Sequence, residues 1–283
     1  MLSVRYNRLL RQFKRKRNNM CQLMGMSANV PTDARFSFTG LVERAGRTDV
    51  HKDGWGITFY RGKGVQEFRD LQAGSDCDVA NFLKQQCIKS DIVIGHIRQA
   101  NVGALTLENT HPFRRELWGE NWTFAHNGQL KDIDTMLPLG RYLPVGTTDS
   151  EHIFCWLLDQ IATAFPTRPS DPTQLYEFIY EKRAQLHAYD VCNFMLSDGH
   201  ALIVHCSNNL HWITRRAPFG PALLKDIEVS VDFSTETTEK DVVTVFATQP
   251  LTTNETWIKM QPGEMLVFEQ GEQTGRFFTP AKN

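Results

Sequence analysis

After residue 20 the apolar positions follow two rhythms. One has helical spacing. Thr32 and Asp33 can cap a short helix through Phe36, Leu41 and Val42, and Thr148 or Asp149 a longer one carrying Ile153, Phe154, Leu157, Leu158 and Ile161. Asp171 and Pro172 open a third, with Leu175, Phe178 and Ile179 on one stripe. A weaker helix is expected over Asp78 to Cys87. The other rhythm belongs to strands. "GWGITFY" turns through "RGKG" into "VQEFRD", and "DIVIGHI", "NWTFAHN", "VCNFMLS", "ALIVHC", "LHWITR" and "DVVTVFAT" follow. Asp198-Gly199 reads as a two-residue hairpin turn between two of them. Several strands are nearly continuously apolar, which means burial on both faces, yet their short connections imply antiparallel pairing. The pattern therefore predicts an α+β fold: two stacked, mainly antiparallel sheets, each covered outside by helices.

Charge divides the chain in two. Met1 to Met20 hold seven Arg and Lys and no acid, whereas the remainder holds 24 basic against 32 acidic residues. The acidic body argues against nucleic acid as a partner. No apolar run approaches the ~20 residues that span a bilayer, so no membrane partner is expected. The basic leader has too short an apolar core, "RLL", for a secretory signal. It reads as a disordered extension that is removed or never translated; a transit peptide or a basic arm for RNA or acidic lipid are the alternatives. With no repeat or Pro/Gly/Ser linker beyond it, residues 21–278 are expected to form one domain. The six cysteines form no CxxC and no Cys/His set with zinc spacing, so no metal is expected. Scattered thiols without an export signal suggest a reducing, cytoplasmic setting. No phosphate-binding loop or dinucleotide fingerprint is present, and no cofactor is expected.

Four short stretches could carry chemistry. Met20-Cys21 would leave Cys21 as the amino-terminal residue if the chain began or were processed there. Such a cysteine supplies a thiol and, in its own α-amine, a base. Arg98, in "GHIRQANVG", follows an apolar strand and could grip a carboxylate through both guanidinium nitrogens. In "FAHNGQL" the Asn127 amide and the Gly128 N–H could point at one developing oxyanion. Asp149, in "TTDSEH", could pair with an ammonium group. Each has an ordinary structural reading as well: a buried cysteine, a salt-bridged arginine, an Asn-Gly turn and a helix cap. Taken together they describe a nucleophile, an oxyanion hole and one charge of each sign to hold an amino acid.

In this order ("CxLxG" after the cysteine, then "GHIRxA", "HNG" and "TDSE", with "NTHPF" before the third) the set resembles the class II glutamine amidotransferases of the N-terminal nucleophile hydrolase superfamily. The later "ATQPLTTNETW" segment and the overall length resemble its stand-alone, YafJ-type branch. The resemblance covers Cys21 to about Phe268. It implies a four-layer αββα sandwich. It also implies that Cys21 is the nucleophile, Asn127 and Gly128 the oxyanion hole, Arg98 the α-carboxylate site and Asp149 the α-ammonium site. Asn101 stands where many members carry a threonine, and can still hydrogen-bond a carboxylate. "HKDGWG" stands where many carry "RGPD", which bears on the pocket's outer wall and the choice of leaving group. The implied reaction is hydrolysis of a γ-glutamyl amide, in glutamine or a γ-glutamyl peptide or amine, through a thioester. A subunit that donates ammonia to a synthase or serves an amidase partner is the alternative. So is a non-catalytic γ-glutamyl-binding protein, should the leader stay attached.

Overall fold

The structure is a computed structural model and describes residues 21–49, 51–99, 104–130, 132–187 and 191–279. The basic leader and Asn101 lie outside these residues.

Seven strands form the first sheet. In chain order they are β1 (Gln22–Asp33), β2 (Trp55–Arg61), β3 (Gly64–Asp70), β4 (Lys89–Ile97), β9 (His211–Arg216), β12 (Val242–Ala247) and β13 (Ile258–Lys259). Their spatial order is β13-β9-β12-β1-β4-β2-β3. Six strands form the second: β5 (Phe113–Leu117), β6 (Glu120–Gly128), β7 (Cys192–Ser197), β8 (Leu202–Cys206), β14 (Glu264–Glu269) and β15 (Glu272–Phe277), in the order β15-β14-β8-β7-β6-β5. The pairings within both sheets are antiparallel. A two-stranded ribbon, β10 (Pro221–Leu223) with β11 (Ser230–Asp232), stands apart.

Side-chain alternation explains the layers. On β4, Ile92 and Ile94 join Leu23, Ala125, Met195, Leu202, Val204 and Leu266 in a core between the two sheets. Val93 and Ile97 face the other way, onto a core shared with Phe38, Leu41 and Val42 of helix α1 (Arg35–Glu43) and Ala80 and Leu83 of α2 (Asp78–Leu83). In the second sheet Trp122, Phe124, Phe194, Leu196 and Ile203 turn outward. They meet Ile153, Phe154, Leu157, Leu158 and Ile161 of α4 (Asp149–Ala164) and Leu175 and Ile179 of α5 (Pro172–His187). A single turn, α3 (Ile133–Met136), precedes α4. The result is the expected four-layer α-β-β-α stack, and the doubly apolar strands are those with a layer on each side.

Three local expectations change. The β7–β8 connection is four residues, Asp198 to Ala201, because Asp198 Oδ1 accepts from the N–H groups of both His200 and Ala201 and widens the turn. Helix α2 ends at Leu83, short of Cys87. Residues Thr32 and Asp33 are still strand; Ala34 is the N-cap residue of α1, while Asp33 Oδ1 accepts from Arg35 N.

Away from the strand ends that matter below, Tyr60 ties the sheets together. Its hydroxyl, buried between them, lies 2.9–3.0 Å from Asn121 O, Thr123 Oγ1 and Ser197 O of the opposite sheet. Tyr60→Phe leaves those acceptors without this donor in a dry interior. It is expected to lower stability by about 1–3 kcal/mol in urea denaturation without altering activity.

Candidate active site

Sheet register brings the chemistry-bearing residues to one end of the sandwich. β1 lies between β12 and β4, and Gln22 pairs with Ile97. Cys21 is therefore next to Arg98 and Gln99, where β4 ends. Cys21 shares the face of Leu23, Arg98 that of Ile92 and Ile94, and Asn127 that of Ala125. All three faces look into the space between the sheets. The apolar core stops there and polar groups take over.

Contacts follow from this placement. Gln99 N–H donates to Cys21 Sγ at 3.2 Å, and Asn127 Nδ2 donates to the Cys21 carbonyl at 2.5 Å. The two sheets are thus joined through Cys21 itself. An amide nitrogen has two N–H groups, so Asn127 keeps one for a ligand. Burial pushes the Cys21 thiol up to about 11, opposed by the Gln99 N–H and the Arg98 charge and reinforced by Asp149. Both charged groups therefore act electrostatically on the sulfur.

Gly128 faces Cys192 on β7, whereas its neighbour Gln129 donates to Val191 O. Antiparallel ladders alternate, so the Gly128 N–H points away from β7. On that side β5 has already ended, at the Phe113–Phe124 pair. The Gly128 N–H consequently points in the sheet plane toward the side that β5 does not reach. A Cβ at this position would lie 1.7 Å from Val191 O, which restricts it to glycine.

Arg98 is almost completely buried. Its backbone is clasped by the "HKDGWG" segment: Arg98 N donates to Gly54 O and Asp53 N to Arg98 O. Its Nη1 donates to Ala104 O at 3.1 Å. Burial lowers its pKa, against the pull of Cys21 and Asp53. A guanidinium nevertheless stays charged at neutral pH. Asp149 begins α4, but Thr148 supplies the cap, accepting from Glu151 N. The Asp149 carboxylate is instead turned to the end of β6, where Oδ2 accepts from Leu130 N at 2.7 Å.

The site's supports were not singled out from the sequence. Asn109, within "NTHPF", donates to Ala104 O and accepts from Thr147 N, binding the loop under Arg98 to the loop before Asp149. Glu151 pairs with Arg115 and accepts from Gly146 N. A buried histidine group backs the site: the His96 and His111 rings lie 4.1 Å apart, and His126 acts electrostatically on both. Burial brings His96 down to about 3 and lowers His111 and His126 as well, so all three are neutral at physiological pH. The one sequence signal for these supports was their position inside or beside the motifs. Among the described residues no cluster of three His, Cys, Asp or Glu is placed to hold a metal, and no helix is long and apolar enough to cross a membrane.

A four-layer sandwich with a cysteine at the head of a central strand, facing an Asn-Gly strand end, is the fold that the chain shares with glutamine amidotransferases of known structure. The family model for "Glutamine amidotransferases class-II" matches residues 20–283, and the chain belongs to that family. It is 55% identical over 254 residues to YafJ of Escherichia coli (strain K12), covering 90% of this chain and 99% of YafJ. A Haemophilus influenzae relative is 47% identical over 255 residues, 90% of this chain and 86% of its own. The 2.0 Å crystal structure of a Pseudomonas aeruginosa protein described as a "predicted glutamine amidotransferase" superposes with a TM-score of 0.73 at 49% identity, covering 90% of this chain and all of the other. Glutamine phosphoribosylpyrophosphate amidotransferase of B. subtilis shares the fold at 17% identity and a TM-score of 0.59, over 93% of this chain and 50% of its own.

Proposed function

We propose that residues 21–278 are the working unit and hydrolyse a γ-glutamyl amide, with L-glutamine as the reference substrate and Cys21 as the amino-terminal nucleophile. The observation that carries this reading is the convergence of Cys21, Arg98, Asn127 and Gly128 at one end of the two sheets, with Asp149 at the adjoining helix start. Arg98 binds the substrate α-carboxylate, with Asn101 adding a hydrogen bond, and Asp149 binds the α-ammonium. The free α-amine of Cys21 takes the thiol proton, and the sulfur attacks the γ-carbonyl carbon. The second Asn127 N–H and the Gly128 N–H hold the oxyanion. As the tetrahedral species collapses, the C–N bond breaks and the protonated amine gives its proton to departing ammonia. Water, deprotonated by the same amine, then releases glutamate from the thioester.

Removal of residues 1–20 is part of this reading, because an α-amine tied in a peptide bond cannot act as a base. The test compares protein beginning at Cys21 with the full chain, scoring ammonia or amine release from glutamine, γ-glutamyl peptides and γ-glutamyl amines. Intact mass of the native protein identifies its amino terminus. Turnover by the shortened protein and not by the full chain is expected; an inert shortened protein would sink the proposal.

The pH profile carries its own sign. The amine accepts a proton only when uncharged, so kcat/KM is expected to fall about tenfold per unit below the ~7.7–8.0 of a typical α-amine. An acid limb centred near 6.5, the ordinary histidine value, would point to a histidine base instead.

A further inference from the structure

One strand end serves two faces. On β6, Asn127 looks between the sheets toward Cys21, and His126 looks outward, toward α4. His126 Nδ1 lies 2.9 Å from Ser150 Oγ, which lies 3.3 Å from Asp149 Oδ1. The same Oδ1 accepts from Ser150 N at 2.8 Å, while Oδ2 accepts from Leu130 N at 2.7 Å. Thr148 already caps the helix, so this chain is not needed to start α4. His126 and Ser150 are both buried.

We propose that His126 and Ser150 are positioning residues that set the orientation of Asp149 for the substrate α-ammonium, His126 Nδ1–H donating to Ser150 Oγ and the serine proton going to Asp149 Oδ1. The inference rests on the glutamine-binding role given to Asp149 above. A hydroxyl has one proton, so the proposed donation to Asp149 requires Oγ to accept from the ring, with the His126 proton on Nδ1. Two donors then hold Oδ1 and one holds Oδ2. A carboxylate oxygen accepts about two hydrogen bonds, so Oδ2 keeps the open lone pair and receives the ammonium. Because His126 precedes Asn127 directly, the same strand end orients the oxyanion donor and the ammonium site.

The test compares L-glutamine with 4-carbamoylbutanoate, which is glutamine without its α-amine. The second compound is assayed as a substrate or, where turnover is too slow, as a competitive inhibitor. Wild-type protein beginning at Cys21 should prefer glutamine strongly. Ser150→Ala is expected to reduce that preference about tenfold, the effect of one hydrogen bond to a charged group, with carbamoylbutanoate unaffected. Ser150→Thr, which restores a hydroxyl, should restore the preference. Independently of Ser150→Ala, His126→Asn keeps an N–H near the Nδ1 position and should retain more of the preference than His126→Phe. A merely structural role would lower both compounds equally, and that outcome, or an unchanged preference, overturns the inference while glutamine hydrolysis stands. A wild-type protein inert toward both compounds overturns the underlying reading, and this inference with it.

Discussion

Replacing Cys21 by alanine, in protein that begins at residue 21, is expected to reduce kcat for glutamine by on the order of 10⁴-fold or more. The sulfur's hydrogen bonds are weak ones with Gln99, so its removal asks little of the fold. The thermal midpoint should therefore stay near that of the wild type, and Arg98, Asn127 and Asp149 should still bind glutamine. Inactive protein that retains glutamine affinity, measured by calorimetry, is the signature of a missing nucleophile. Retained hydrolysis would remove Cys21 from the mechanism.

Asn127→Ala is expected to lower kcat by about 10²–10³-fold with a smaller effect on KM, as loss of one oxyanion donor does elsewhere. The oxyanion exists only after attack, so its donor stabilises the transition state rather than bound substrate. Here the amide has a second duty, since it also holds the Cys21 carbonyl. Asn127→Asp separates the two poorly, because a carboxylate repels the oxyanion as well. Single-turnover rates of thioester formation give the clean reading. An unchanged acylation rate in Asn127→Ala would exclude the side chain from the oxyanion hole.

The layer order was legible because burial on both faces leaves a recognisable run, as in "DIVIGHI" and "ALIVHC". The strands that escaped notice fail that pattern for identifiable reasons. β1 interrupts its apolar residues with Gly25, Ser27, Asn29 and Pro31, although it lies mid-sheet. β5, "FRREL", and β15, "EQTGRF", are edge strands whose charged and polar residues face solvent, and β14 is a short apolar run between turns. At the site, Cys21, Arg98, Asn127, Gly128 and Asp149 were readable as residues because their chemistry is local. Their convergence was expected through the resemblance and not from spacing, since it depends on β1 pairing with β4 and β12 over long separations. The supports Asn109, His126, Ser150 and Glu151 act through tertiary hydrogen bonds that no spacing along the chain announces.

The place of β1 also sets the timing of the protein's birth. Strand β1 sits between β4 and β12, and Leu23 exchanges hydrogen bonds with Thr248. During synthesis Cys21 leaves the ribosome early, but one neighbour of its strand is made more than 200 residues later. The thiol therefore waits, without the Asn127 contact to its own carbonyl, until nearly the whole chain has emerged. Such long-range pairing slows folding. It also means that a truncated translation product carries the cysteine and every motif through "TDSE" yet cannot assemble the sheet that makes them a site.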